Sequence, residues 1–143
     1  MISFDAVESF IGSRWVYKKN DCWAVAKKAS LKIFNKKLPL IPLPDSSNLG
    51  DNIGIFSGEL NSSKWVKIDT PKSGCMALFY AKINNVLSPV HVGIYIVDGN
   101  VLHCDGSVRK GGCTTYDQVK TLVGKYNKYE CVTFHEYSDN DNT

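Results

Sequence analysis

The stretch from His91 to His103, HVGIYIVDGNVLH, constrains this chain more than any other. Val92, Ile94 and Ile96 alternate with His91, Gly93 and Tyr95, the period of a strand whose successive side chains face opposite ways. Val97-Asp98-Gly99 reads as a three-residue hairpin loop, a type I turn closed by Gly99 in the left-handed conformation. Such a loop pairs Ile96 with Asn100 and sets Gly93 opposite His103. The two histidines then share a face as diagonal neighbours about 7–8 Å apart at the backbone, with Gly93 leaving room between them. A two-residue loop would put them on opposite faces. The other face (Val92, Ile94, Ile96, Leu102, Cys104) is apolar throughout and reads as core.

Each histidine alone has a plain reading as a hydrogen-bonded, partly buried residue. The pair gains chemical meaning only with a nucleophile nearby, and Asn20-Asp21-Cys22-Trp23 offers one. From Asp21 to Asn35 the pattern is helical, with Cys22, Val25, Ala26, Ala29 and Ile33 along one face and lysines 27, 28 and 32 outside it. Asn20 or Asp21 caps the helix, so Cys22 falls in its first turn. Free N–H groups and the positive end of the helix dipole there are expected to stabilise a thiolate. The alternative is a small core residue, since free cysteine is among the most buried types.

The 143 residues, 43% apolar and 11% aromatic, can build a real core. A net charge of +3 is too small and too scattered for a nucleic-acid binder, though compatible with an anionic cell wall. No apolar run approaches the ~18 residues of a membrane span, so no membrane insertion is expected. The N-terminus lacks a basic-then-apolar signal. Synthesis in a cytoplasm, with delivery to a wall or periplasm by another vehicle, is the expectation. Five cysteines without framework spacing argue against a disulfide scaffold.

Ser3 to Ile11 reads as a short amphipathic helix capped by Ser3. Leu38 to Asp45 is Pro-punctuated and extended, and Ser46 to Leu60 weakly helical. Trp65 to Ile68 is a first strand, Cys75 to Ala81 a central apolar one, and Asn84 to Pro89 a loop into the hairpin. Ser107 to Thr115 is a further short strand, Tyr116 to Val123 a short helix, and Lys128 to Tyr137 the last strand. Residues 1–137 thus form a single α+β domain, helices first and then an antiparallel β-sheet, with 138–143 a disordered tail.

A thiol at a helix start and a histidine at a strand start are the parts of a thiolate–imidazole nucleophile, with a second polar residue to hold the imidazole. Cys22 would attack a carbonyl carbon, His91 would carry the proton to the leaving amine, and His103 would orient His91. The Cys22 N–H, with Tyr17 from the preceding loop, would face the oxyanion. The Cys22 helix is expected on the histidine face of the sheet, the opposite face being purely apolar.

Asn-Asp-Cys-Trp opening a helix, a Gly-then-apolar strand, then HVGIYI and a second histidine resemble the NlpC-type cysteine peptidases of cell walls, minimal papain-like domains. The likeness runs from about Trp15 to His103. It implies Cys22 as nucleophile, His91 as base and His103 as third residue, no cofactor and no metal, and cleavage of an amide in the peptidoglycan stem peptide. Asp-Cys-Trp, with Trp65-Val66 before Pro71 and Gly74, looks like bacteriophage tail-associated members, which implies tail proteins as partners and a virion location. Trp23-Ala24 replaces the usual Ser-Gly, making Asp21 and Trp23 candidate cleft residues, and Gly74-Cys75 replaces the usual Gly-Asp. Cys75 reads as structural, and no role follows for Cys104, Cys113 or Cys131. Alternatives are a type VI-style amidase toxin, acyl transfer or thioester chemistry on the same fold, and a non-enzymatic tail docking part. A metal site from His91, His103, Cys104 and Cys113 has suitable ligand types but lacks C-x-x-C spacing.

Overall fold

The computed structural model describes residues 2–16, 19–39, 54, 56–59, 64–107 and 111–138. Helix α1 (Phe4–Phe10) starts at Ser3, whose hydroxyl accepts the Ala6 N–H at 3.3 Å. Helix α2 (Cys22–Phe34) starts at Asp21, whose carboxylate accepts the Ala24 N–H at 2.9 Å, and stops at Asn35 in the left-handed conformation. Both match the apolar periodicity to within a residue at each end.

Strands β1 (Trp65–Ile68), β2 (Met76–Ile83), β3 (Val86–Val97), β4 (Asn100–Ser107), β5 (Gly111–Gln118) and β6 (Cys131–Tyr137) follow. A one-turn helix, α3 (Val119–Leu122), separates the last two. The strands form one six-stranded antiparallel sheet in the order β1-β6-β2-β3-β4-β5. The plan is α+β.

Three expected boundaries move. Asn84 and Asn85, at φ 52° and 64°, close a two-residue turn, so β3 begins at Val86 where a loop was expected. Pro89 is tolerated inside that strand because the β2–β3 ladder shifts register beside it, from Phe79↔His91 to Tyr80↔Pro89. The expected helix at Tyr116 is instead the end of β5, which stays paired with β4 as far as Asn100↔Gln118. The last strand starts late, at Cys131, because Tyr129 N–H bonds to Leu122 O and Glu130 N–H to Tyr80 O in a tied loop. The extended stretch beyond Pro39, most of the weak helix over 46–60 and the tail beyond Ser138 lie outside the described residues; within the weak helix, residues 56–59 are helical.

The β3–β4 hairpin reaches the expected register by an unexpected route. Asp98 and Gly99, at φ 54° and 83°, make a two-residue turn of the I′ kind, pairing Val97 with Asn100. Alone, that turn would throw His91 and His103 onto opposite faces. A bulge between Tyr95 and Val97 absorbs one residue, so Ile94 pairs with Leu102 and Gly93 again meets His103. A Cβ on Gly93 would stand 2.9 Å from the His103 Cβ.

The sheet carries a core on each face. Trp23, Ala26 and Ala29 of α2 pack on Leu78, Val92, Ile94 and Leu102. The helix therefore covers the apolar face, not the histidine face as expected. Burying each of those aliphatic side chains stabilises by ~1.5–3 kcal/mol, whereas a helix over the ring nitrogens would leave polar atoms facing alanine. The opposite face packs Ala77, Phe79, Val101 and Tyr129 together, with Tyr95 and Phe134 against them, and it holds both histidines.

Candidate active site

Cys22 packs against the core on the α2 side of the sheet and His91 lies on the opposite face, and between them the β3–β4 ladder stops at Ile94 and Leu102. Tyr95 N–H bonds to Cys75 O on the β2 side. By alternation the N–H groups of Gly93 and His91 also point to β2, and those of Ile94 and Val92 to β4. The β3–β4 ladder ends at Ile94↔Leu102. The next donor toward β4, the Val92 N–H, acts on the Cys22 thiol instead, favouring its ionised form. The thiol of the first residue of α2 thus feels the residue that follows His91.

On the opposite face the histidines bond through their rings, His91 Nε2 to His103 Nδ1 at 2.8 Å. Both side chains are buried, at 4% and 3% exposure. His103 Nε2 then meets Asp117 Oδ2 at 2.8 Å, and Thr115 Oγ1 donates to the same oxygen at 2.6 Å. Sequence reasoning missed Asp117 and Thr115, because Tyr116 was read as a helix start. As strand residues, Thr115 pairs with His103, and Asp117, two further on, shares its face. Tyr129 lies parallel to the His91 ring, with centroids 5.5 Å apart, and Phe79 lies 5.6 Å away. The Tyr129 hydroxyl donates to Asp105 Oδ2 at 2.8 Å, and Lys128 Nζ pairs with the same carboxylate.

Burial dominates the electrostatics. It pushes the Cys22 thiol up to about 12, reinforced by the Asp21 charge and opposed by the Val92 N–H. The expected thiolate at the helix start is therefore corrected: for the half-buried Cys22, loss of hydration and then the Asp21 charge outweigh the helix end. Burial, then repulsion from His103, lowers His91 to about 3. The resting pair is a neutral thiol and a neutral imidazole. Burial works against ionisation of Asp105, but attraction to His91 when charged and hydrogen bonds from Lys128 and Tyr129 hold its carboxyl below the ordinary value. With His91 neutral, Lys128 and Tyr129 are the partners that remain. Asp117, though partly buried, is likewise held low by Thr115 and His103.

The remaining candidates separate. Asp21 is 5% exposed and caps α2, which is its visible role. Trp23, expected to line a cleft, is corrected to a core residue: it is 2% exposed, edge-on to Trp65, with its indole N–H given to Pro39 O at 3.0 Å. Helix periodicity explains this, because the first turn of α2 carries Trp23 onto the apolar face. Tyr17 lies outside the described residues. The segment ahead of Cys22 is tied to the sheet, with Asn20 Nδ2 donating to Arg14 O and Ser13 Oγ, and Ser13 Oγ donating to Thr114 Oγ1. Cys104 Sγ meets Asn20 O at 3.2 Å, so Cys104 faces α2 and not the histidines. Cys75 is buried, Cys131 half-buried and Cys113 exposed. An apolar hollow of about 450 Å³ lies farther along the histidine face, lined by Pro71, Tyr95, Val119, Val123 and Phe134, and none of Cys22, His91 or His103 borders it.

No protein-family model matches this chain, and no curated protein matches it by sequence. Among the described residues, no helix is long and apolar enough to cross a membrane.

Proposed function

We propose that this protein is a papain-like cysteine hydrolase that cleaves an amide bond in peptidoglycan stem peptides. The observation that carries the chemistry is His91 bonded to His103 at 2.8 Å, with the half-buried Cys22 thiol under the influence of the N–H of Val92, the residue that follows His91. The substrate class comes from the family resemblance, as does the virion or periplasmic setting with tail proteins as partners.

The reaction starts from the neutral pair. As the Cys22 sulfur forms a bond to the amide carbon, its proton passes to His91 Nδ1, the ring nitrogen that His103 leaves unengaged. The Cys22 backbone N–H, at the helix start, stabilises the oxyanion. Breakage of the C–N bond takes the proton from His91 to the leaving amine. Water then attacks the thioester, giving its proton to His91, and the C–S bond breaks to release a carboxylic acid and regenerate the thiol. His103 keeps the imidazole aligned throughout.

Digestion of purified peptidoglycan, read by mass spectrometry of the fragments, tests this. New amino termini are expected with wild-type protein and none with Cys22→Ala. Intact, reduced protein that releases nothing from several wall types would overturn the reading and leave thioester substrates and tail-protein binding to be assayed.

A further inference from the structure

We propose that Asp117, held by Thr115, fixes the proton positions on both histidines and is the terminal positioning residue of a Cys22–His91–His103–Asp117 relay. Its catalytic meaning rests on the reading of Cys22 and His91 as nucleophile and base, whereas the proton positions do not. An ionised carboxylate can only accept hydrogen bonds. At 2.8 Å from Asp117 Oδ2, His103 Nε2 must therefore carry a hydrogen. Thr115 has a single hydroxyl hydrogen, committed to the same carboxylate oxygen at 2.6 Å, so at 3.3 Å from His103 Nε2 it can only accept.

When His103 carries a single ring hydrogen, that hydrogen is on Nε2 and Nδ1 keeps a lone pair. That atom sits 2.8 Å from His91 Nε2, which must then be the donor. His91, neutral in its buried setting, is left with its lone pair on Nδ1, the ring nitrogen nearer its own backbone. A partly exposed carboxylate on β5 thus dictates, through two rings, which nitrogen can take the thiol proton. The same negative charge favours the imidazolium formed during attack, which His103 alone would oppose.

Long-range proton–nitrogen NMR on histidine-labelled protein, at neutral to mildly alkaline pH, reads the tautomers directly. Wild type is expected to carry hydrogen on Nε2 of both His91 and His103. Asp117→Ala is expected to scramble both rings and, with an amide substrate, to lower kcat by ~10–100-fold at little-changed KM, no more than the low end of the usual worth of general acid–base catalysis, as suits a residue acting through another. Hydrogen on His91 Nδ1 in wild type overturns the proposal whether or not the variant folds. So do unchanged tautomers in a folded Asp117→Ala. If the tautomers behave as expected but wild type cuts no amide, the relay stands as a proton arrangement and the hydrolase reading falls.

Discussion

The two ends of the β3–β4 hairpin are made from the same strands and solve opposite problems. At the turn, Val97↔Asn100 and Tyr95↔Val101 keep the backbone paired, and Asp98 and Gly99 take the positive φ values that a tight reversal needs. At the histidine end the ladder has stopped, and what joins the strands is a bond between imidazoles. The donor released there, the Val92 N–H, favours ionisation of a thiol from a helix on the other face. One end spends its backbone groups on the fold, while the other frees one for a side chain that can react. The open end is possible because the closed end, with its compensating bulge, sets the register four residues away.

Gly93 is where the two regimes meet, and Gly93→Val should break the comparison most sharply. An added Cβ would lie 2.9 Å from the His103 Cβ and 3.1 Å from Leu102 O, so β4 must move outward. A destabilisation of ~1–3 kcal/mol is expected from such overpacking, seen as a lower denaturant midpoint. The His91–His103 bond should be lost with it, seen in the ring nitrogen shifts. A variant with unchanged midpoint and intact ring bond would mean that β3 and β4 are already loose at this point.

Acid should attack the open end first. In the folded chain His91 stays neutral down to about 3, while in the unfolded chain it titrates near its ordinary 6.5. Between those values the unfolded state binds a proton that the folded state does not. Stability is therefore complete above that window and lost as pH falls through it, by at most ~1.4 kcal/mol per pH unit. Asp105 and Asp117, both held below their ordinary value, add stability above that value that is lost below it, in the same direction. Stability measured against pH should be less steep between 6.5 and 3 in His91→Gln than in wild type. An equal slope would show that His91 is solvated in solution.

Much of this was legible because local rules and tertiary demands agreed. The caps at Ser3 and Asp21, the stripe of α2 and the alternation of β3 each followed from short-range physics. The register of His103 came out right although the turn was read wrongly, because the apolar face of β4 must stay buried however the chain reverses, and a bulge could absorb the difference. The face chosen by α2 was misread by treating an all-apolar face as already satisfied, when apolar surface is what a helix stripe needs. Asp117 was hidden by Thr-Tyr-Asp-Gln, whose strand character is decided by pairing with β4 and not by its own composition. The raised Cys22 thiol was also out of reach, because the hydration it loses depends on tertiary packing that no local pattern encodes.

The smallest expected effect separates the two roles of Asp21. Its carboxylate accepts the Ala24 N–H at 2.9 Å, and its charge raises the Cys22 thiol. Asp21→Ala removes both and should cost about 1 kcal/mol of stability, as for other lost N-caps. Asp21→Asn keeps an oxygen that caps as well and removes the charge. Its midpoint should match wild type within a few tenths of a kcal/mol, while the iodoacetamide reactivity of Cys22 at mildly alkaline pH should rise, by less than about tenfold since a tenfold change is a full pKa unit. Burial is the larger cause of the raised thiol, so removing one neighbouring charge should move it only part of the way back. If Asp21→Asn left the thiol as unreactive as before, loss of hydration alone would hold it protonated. The helix end would then contribute position to the site and no electrostatics.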